Sequence, residues 1–363
     1  MTPGWQEELD RRRGRARSLV SDAGCDLGVV YGSDRWGQSF RYLTNFEPVL
    51  GDMWLLLGDR LRSFLTFQWQ IIEAQGLSGI EEWHGQFDPV PLVVEAVRES
   101  GAKRVAVVGL QRMPVPAWRA LESLGIELVD LDVPFGELRR RKSPFEIELL
   151  RDAARLTDRM LDAAREQIEP GAVETEIAAS LATIPLAVGG DCSFEPTVIS
   201  GVDDPIPVRR SIRRAIEPGD TVMVDVGAAL QGYQGDATRT YVVGTPTQTQ
   251  RSAWDVVQRA YDAALELARP GVPCLELHAA AAAIIEDAGF DVAHRIGHGI
   301  GLATSYEWPS LDTETAPLEP GMTICIEPGV FAPGSGNMKL EDDLVITEDG
   351  HELLTKSDRS LTR

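Results

Sequence analysis

Four carboxylates and one imidazole carry the clearest chemistry in this chain of 363 residues. Asp225 and Asp236 lie in EPGDTVMVDVGAALQGYQGDATRTYVV, residues 217–243, whose runs at 221–224 and 238–243 have the composition of strands. A carboxylate in a buried strand is costly to desolvate unless something positive pairs with it. Two on one hairpin repel each other unless a proton or a metal ion sits between them. The segment holds no Lys and a single Arg, Arg239, so a cation must come from elsewhere.

The pattern then recurs. In EPGMTICIEPGVFAPGSGNMKLEDDLVIT, residues 319–347, Glu327 falls 102 positions after Asp225, and Glu341 follows on the return strand as Asp236 does. Pro170-Gly171 and Pro270-Gly271, 100 positions apart, each precede a helical stretch. The inference is a duplicated half-domain in which each half supplies two acidic residues.

Ahead of the second hairpin lies HRIGHGIG, residues 294–301. His298 is an imidazole of the kind that binds first-row divalent metals, and its flanking glycines let the backbone approach a metal or substrate. Asp225, Asp236, His298, Glu327 and Glu341 suit two divalent ions, Mn²⁺ ahead of Co²⁺, Fe²⁺ or Zn²⁺. Two such ions about 3.5–4 Å apart share a water and lower its pKa towards about 7, giving hydroxide at neutral pH. His294, in a Gly-rich loop, is a candidate for substrate contact, whereas His84, His278 and His351 stand alone and read as surface or core.

The scaffold that must position these groups is read from the rest of the chain. An amphipathic helix at about 8–24 leads into an apolar strand at 26–30, and strand patterns follow at 41–46, 53–57 and 104–108, with a helix at 91–101. That alternation predicts an α/β domain over residues 1–136 without a Gly-rich phosphate loop. Trp36, Phe40, Trp69 and Trp83 are expected in its core. The basic stretch at 137–142 reads as a linker. Ser143-Pro144-Phe145-Glu146 is a capping box that opens a second domain, 143–363, with helices at about 143–168, 173–187, 250–268 and 274–288.

Composition narrows the class of function. A net charge of −21 opposes nucleic acid or an anionic membrane as partner. No apolar run approaches the length of a membrane span and residues 1–18 lack a signal-peptide core. Four scattered cysteines without a CxxC pair point to reduced thiols and a cytoplasmic protein.

The sequence resembles the pita-bread metallohydrolases, the family of creatinase, prolidase, aminopeptidase P and methionine aminopeptidase. The resemblance rests on Asp225, Asp236 with the following ATRT, GHGIG, IEPG and LEDDLVITEDG, and it spans about residues 143–363. The segment before it is similar to the creatinase/prolidase N-terminal domain. The resemblance implies an α+β fold with a duplicated helix-helix-hairpin catalytic domain, and a dinuclear centre held by Asp225, Asp236, His298, Glu327 and Glu341. It further implies a metal-bridging hydroxide as nucleophile, with Glu327 taking its proton, and a homodimer whose N-terminal domains close the partner's active site.

Two departures concern the substrate side. Proline-specific members carry a Pro-His pair where this chain has Pro207-Val208, and a second His where Tyr306 stands. Val208 cannot hydrogen-bond a substrate carbonyl, whereas the Tyr306 hydroxyl can. Arg209, Arg239 and Lys339 are cationic candidates for a substrate carboxylate or for tuning the metal carboxylates, and Trp308 is a candidate for lining the pocket. The leading expectation is an Xaa-Pro peptidase-like hydrolase acting on a dipeptide or small amide. The alternatives are a non-peptidolytic member, such as a lyase acting by proton abstraction or a small-amide/amidino hydrolase, and a non-catalytic binding protein.

Overall fold

Short buried strands between helices build a mixed sheet in the first of two units, Met1–Arg139. The computed structural model describes residues 3–34, 36–303 and 307–362. The first unit runs α1 (Pro3–Asp22), β1 (Leu27–Ser33), α2 (Gln38–Thr44), β2 (Asp52–Leu57), β3 (Leu61–Leu65) and α3 (Ile71–Ser78). It continues with β4 (Glu82–Gly85), α4 (Val90–Ser100), β5 (Arg104–Val108), α5 (Val115–Glu122), β6 (Glu127–Asp130) and α6 (Asp132–Arg140). The sheet order is β4-β3-β2-β1-β5-β6, with β1 parallel to β5 and antiparallel to β2.

Three expectations are corrected here. The strand expected at 41–46 is the helix α2, because Phe40, Leu43 and Thr44 stand at helical spacing and are all buried, and Asn45 ends the helix at φ 54°. Phe40 and Trp83 do enter the core, but Trp69 is 60% exposed. The linker expected at 137–142 begins inside α6, and of its basic side chains Arg139, Arg140 and Lys142 are buried while Arg141 stays exposed. Arg139 donates to Ser39 Oγ at 2.7 Å and Arg140 pairs with Glu314 at 2.8 Å, which accounts for their burial.

The second unit, Arg140–Arg363, begins with α7 (Pro144–Gln167) and α8 (Glu174–Leu186). Then come β7 (Asp191–Cys192), β8 (Thr197–Ser200), β9 (Thr221–Val226), β10 (Ala228–Leu230), β11 (Tyr233–Gln234) and β12 (Ala237–Val242). The second half has α9 (Gln248–Leu267), α10 (Cys274–Asp287), β13 (His298–Gly299), β14 (Glu307–Ser310) and β15 (Thr323–Ile326). It ends with β16 (Gly329–Ala332), β17 (Gly336–Lys339), β18 (Asp342–Ile346) and β19 (His351–Leu353).

The duplication is visible in detail. Both long helices open with reciprocal capping boxes, Ser143 with Glu146 and Thr247 with Gln250. Gly171 and Gly271 turn at φ 92° and 85°, and their N–H groups donate to Ile216 and Leu318. Gly219 and Gly321 turn at φ 92° and 86° ahead of β9 and β15. Each half has its own core, one around Leu161, Leu181 and Val224, the other around Val257, Leu277 and Ile324.

The long connection from β8 to β9 is pinned by one buried carboxylate. Glu174 accepts both terminal nitrogens of Arg209, at 2.7 and 2.8 Å, together with the Ser200 N–H and hydroxyl and the Ile212 N–H. Burial works to raise the Glu174 pKa, but Arg209 and these hydrogen bonds outweigh it and hold the carboxyl below its ordinary value. This pair therefore stabilises the fold fully above the unfolded value of about 4.3, and the contribution is lost as pH falls through the lower folded value. Glu174→Gln is expected to cost about 1–3 kcal/mol at pH 7 in urea unfolding. The gap from wild type should narrow at acidic pH. A gap that widened with acid would reverse the sign argued here.

Candidate metal centre

Each half brings its acidic pair to one place. Asp225 sits near the end of β9 and Asp236 just before β12, while Glu327 follows β15 and Glu341 separates β17 from β18. His298 begins β13, next to β15 in the five-stranded sheet. Its neighbours must be glycines: a Cβ on Gly297 would run into the Cys325 carbonyl, and one on Gly299 into that of Trp308.

The five ligand candidates of the sequence converge. One group of ligating atoms comprises Asp225, Asp236 and Glu341, and a second comprises His298, Cys325, Glu327 and Glu341; within each, all atoms lie within 4.8 Å of one another. His298 Nε2 stands 3.5 Å from Glu327 Oε1 and 3.7 Å from Asp236 Oδ2. His298 Nδ1 lies 3.0 Å from the Gly299 carbonyl, the partner that fixes Nδ1 as donor and leaves Nε2 as the ligating nitrogen.

The cation missing from the first hairpin is Lys339. Its Nζ lies 3.0 Å from Asp225 Oδ2, 2.8 Å from Glu327 Oε2 and 2.9 Å from Glu341 Oε2. Burial disfavours the charged ammonium, but Asp225, Glu327, Glu341 and Asp236 outweigh it and hold the Lys339 pKa well above the ordinary lysine range. Asp236 lies well above the carboxylate range, through burial first and then the charges of Glu341 and Asp225. Glu327 is driven up by burial, yet Lys339, His298 and His294 bring it below its usual value.

One ammonium does not satisfy this cluster. Asp225 Oδ1 and Glu341 Oε1 are buried without a hydrogen-bond partner, while Glu341 Oε2 accepts from Thr238 Oγ1 at 2.7 Å as well as from Lys339. Buried carboxylate oxygens left bare in a set of four carboxylates and an imidazole fit divalent cations.

Beneath the ligands lies a scaffold layer. The Asp343 carboxylate accepts the Asp236 N–H at 2.8 Å. Arg239, 1% exposed, directs all five N–H groups to protein oxygens: the carbonyls of Thr238, Glu341, Ser357 and Asp358, and Asp342 Oδ1. The expectation that Arg239 binds substrate is therefore corrected, because no donor remains for it. Arg209 is likewise engaged by Glu174 and outside the carboxylate cluster.

His294 is half-buried, its Nδ1 2.7 Å from the Arg295 carbonyl and its Nε2 buried without a partner. Trp308 lies on β14, which pairs with β13 through Gly299 and Glu307. Tyr306 lies outside the described residues. Sequence reasoning missed Cys325, Thr238 and Asp343. The signal was present, since strict alternation along β15 puts Cys325 on the Glu327 face and the register sets it opposite Asp343.

Comparison with known proteins agrees with this geometry. Residues 148–348 match metallopeptidase family M24. The chain is 36% identical over 239 residues to an Xaa-Pro dipeptidase of Pyrococcus furiosus, covering 65% of this chain and 68% of that one. It is 30% identical over 356 residues to an uncharacterized peptidase of Bacillus subtilis, covering 96% and 98%. Among solved structures it is similar to the prolidase from Pyrococcus horikoshii OT3, with TM-score 0.86, 27% identity and coverage of 98% and 99%. An Xaa-Pro dipeptidase from Bacillus anthracis superposes with TM-score 0.88, 28% identity and the same coverage. The mixed α/β architecture is thus that of the prolidases, an N-terminal domain followed by a C-terminal pita-bread domain, and the lyase and binding-protein alternatives are not favoured. A chain that matches over these spans and gathers these ligands belongs to metallopeptidase family M24, and it is a metal-dependent peptidase.

Proposed function

We propose that this peptidase is a dinuclear Xaa-Pro dipeptidase, with Mn²⁺ ahead of Co²⁺, Fe²⁺ or Zn²⁺. The observation that carries the reading is the set of two bare buried oxygens, Asp225 Oδ1 and Glu341 Oε1, in a cluster of four carboxylates and His298. The similarity to Xaa-Pro dipeptidases supports the substrate class.

Asp225, Asp236, His298, Glu327 and Glu341 would hold the ions, which supply an acidified water and polarise the scissile carbonyl. Glu327, kept ionised at neutral pH, takes the proton of the attacking water on a carboxylate oxygen. It returns that proton to the departing proline nitrogen as the C–N bond breaks. His294 Nε2, with no protein partner, serves the substrate carbonyl or its developing oxyanion when protonated. Tyr306 is the proposed second donor, and Trp308 lines the pocket. Lys339 holds the carboxylates together and is placed to tune them, a role better matched to its three contacts than substrate binding.

The finer assembly reading is a cytoplasmic homodimer. Four free cysteines suit a reducing compartment. Self-association is supported by a patch on the first unit, where Leu50, Trp69, Ile72 and Phe87 are exposed and Phe67 stacks on Trp69 at 5.5 Å.

With Mn²⁺, the protein is expected to hydrolyse Xaa-Pro dipeptides, and reaction in H₂¹⁸O should place one label in the released carboxylate. Unlabelled product would sink the hydrolytic reading. Asp236→Asn is expected to lose bound metal by elemental analysis together with turnover. Lys339→Met should lower the melting temperature of metal-free protein more than that of metal-loaded protein, because bound cations take over part of the charge compensation that the ammonium supplies. Trp69→Arg with Phe87→Glu should shift the sedimentation coefficient from dimer to monomer; an unchanged value would remove this patch from the interface.

A further inference from the structure

The second group of ligating atoms contains a sulfur. Cys325 Sγ, His298, Glu327 and Glu341 place one ligating atom each within 4.8 Å of one another, and all four residues are buried. Four donors around Zn²⁺, with bonds of about 2.0–2.3 Å, have edges of about 3.3–3.8 Å. Small side-chain rotations close that difference. Cys325 reaches the centre because it alternates with Ile324 and Ile326, whose side chains belong to the second-half core.

A buried cysteine alone is ordinary packing. Here a second observation points to a cation. Glu341 is 0% exposed, and its Oε2 is taken by Thr238 and Lys339, whereas its Oε1 is unpartnered. Glu341, which carries the bare oxygen, and Cys325 belong to the same four-residue group, with His298 Nε2 facing Glu327 across it.

Resting on the dinuclear reading above, we infer that Cys325 is a sixth donor residue of this centre, a thiolate that captures a soft divalent cation, Zn²⁺ or Cd²⁺, together with His298, Glu327 and Glu341. On binding, the S–H bond breaks, its proton leaves to buffer, and the sulfur lone pair forms the bond to the cation. No electron is transferred. Sulfur favours Zn²⁺ and Cd²⁺ over Mn²⁺, whereas the Asp225–Asp236–Glu341 group is all oxygen and suits Mn²⁺. The two positions are thereby chemically unequal.

The test uses full-length protein loaded with Co²⁺, Cd²⁺ or Zn²⁺. Bound metal is counted first by elemental analysis after desalting. Wild type is expected to show thiolate-to-metal charge-transfer absorption with Co²⁺ and Cd²⁺, and Cys325→Ser to lose it while still binding metal. Zinc X-ray absorption on wild type alone, free of any folding concern in the variant, should reveal a sulfur neighbour at about 2.3 Å, one per dinuclear centre. Metal bound with only nitrogen and oxygen neighbours would overturn the role of Cys325 and leave the dinuclear reading standing. A charge-transfer band that persists in Cys325→Ser would assign the sulfur to another cysteine and overturn it equally. No bound metal at all would overturn both.

Discussion

Negative charge brought together in a dry place is the constraint on which this catalytic domain depends. Asp225, Asp236, Glu327 and Glu341 come from four points in the chain and meet in a largely buried place, Asp225 half-buried and the other three buried, where water screens them poorly. Two answers to that repulsion are built in. Lys339 provides an ammonium within 3.0 Å of three of the carboxylates, and the bare oxygens of Asp225 and Glu341 leave room for cations that the chain does not itself supply. Removing one partner of such a group leaves a charge uncompensated, so cluster and fold are interdependent.

Duplication explains how four distant residues meet. Each half repeats a capped helix, a turn through a left-handed glycine, a second helix and a hairpin. The hairpins then lie close enough for Thr238 in the first to hydrogen-bond Glu341 in the second, and for Asp343 in the second to accept the Asp236 N–H. The halves are unequal in content. The first gives two aspartates. The second gives two glutamates, His298, Lys339 and Cys325, so the nitrogen and sulfur donors sit on one side. Arg239 ties both hairpins to the returning chain end by donating to Thr238, Glu341, Ser357 and Asp358 carbonyls. Asp158 secures the same segment by accepting the Lys356 and Ser357 N–H groups.

The five ligand candidates were legible in the sequence because carboxylates in apolar strands are expensive and the repeat placed them in equivalent positions. The long helices were legible from their periodicity and turns, with ends near those expected. Residues at 41–46 misled because Tyr42 and Phe46 favour strands, whereas the burial of Phe40, Leu43 and Thr44 is helical. Arg139, Arg140 and Lys142 looked solvated because a basic run gives no sign of the partners that bury it. Arg239 misled for a related reason: its partner Asp342 stands 103 positions away, and its other acceptors are carbonyls that no residue type announces. Cys325 was overlooked although its place two residues before Glu327 was readable, since a thiol among carboxylates is easily taken for packing.

The substrate side follows a different logic from the cage. Val208 is 80% exposed, on a segment fixed at both ends by interactions indifferent to its side chain. Arg209 beside it is clamped by Glu174, and the Ile206 carbonyl accepts the Asn337 Nδ2–H at 2.6 Å. The backbone there is held whatever residue occupies position 208. A metal ligand has no such freedom, because its side chain must end within a few ångströms of four others and each one moved strands a buried charge. The cage and the surface that meets substrate are therefore under separate physical control. That separation is how a chain can keep all five candidate ligands in register while presenting an aliphatic side chain, rather than an imidazole, at the edge of the proposed substrate path.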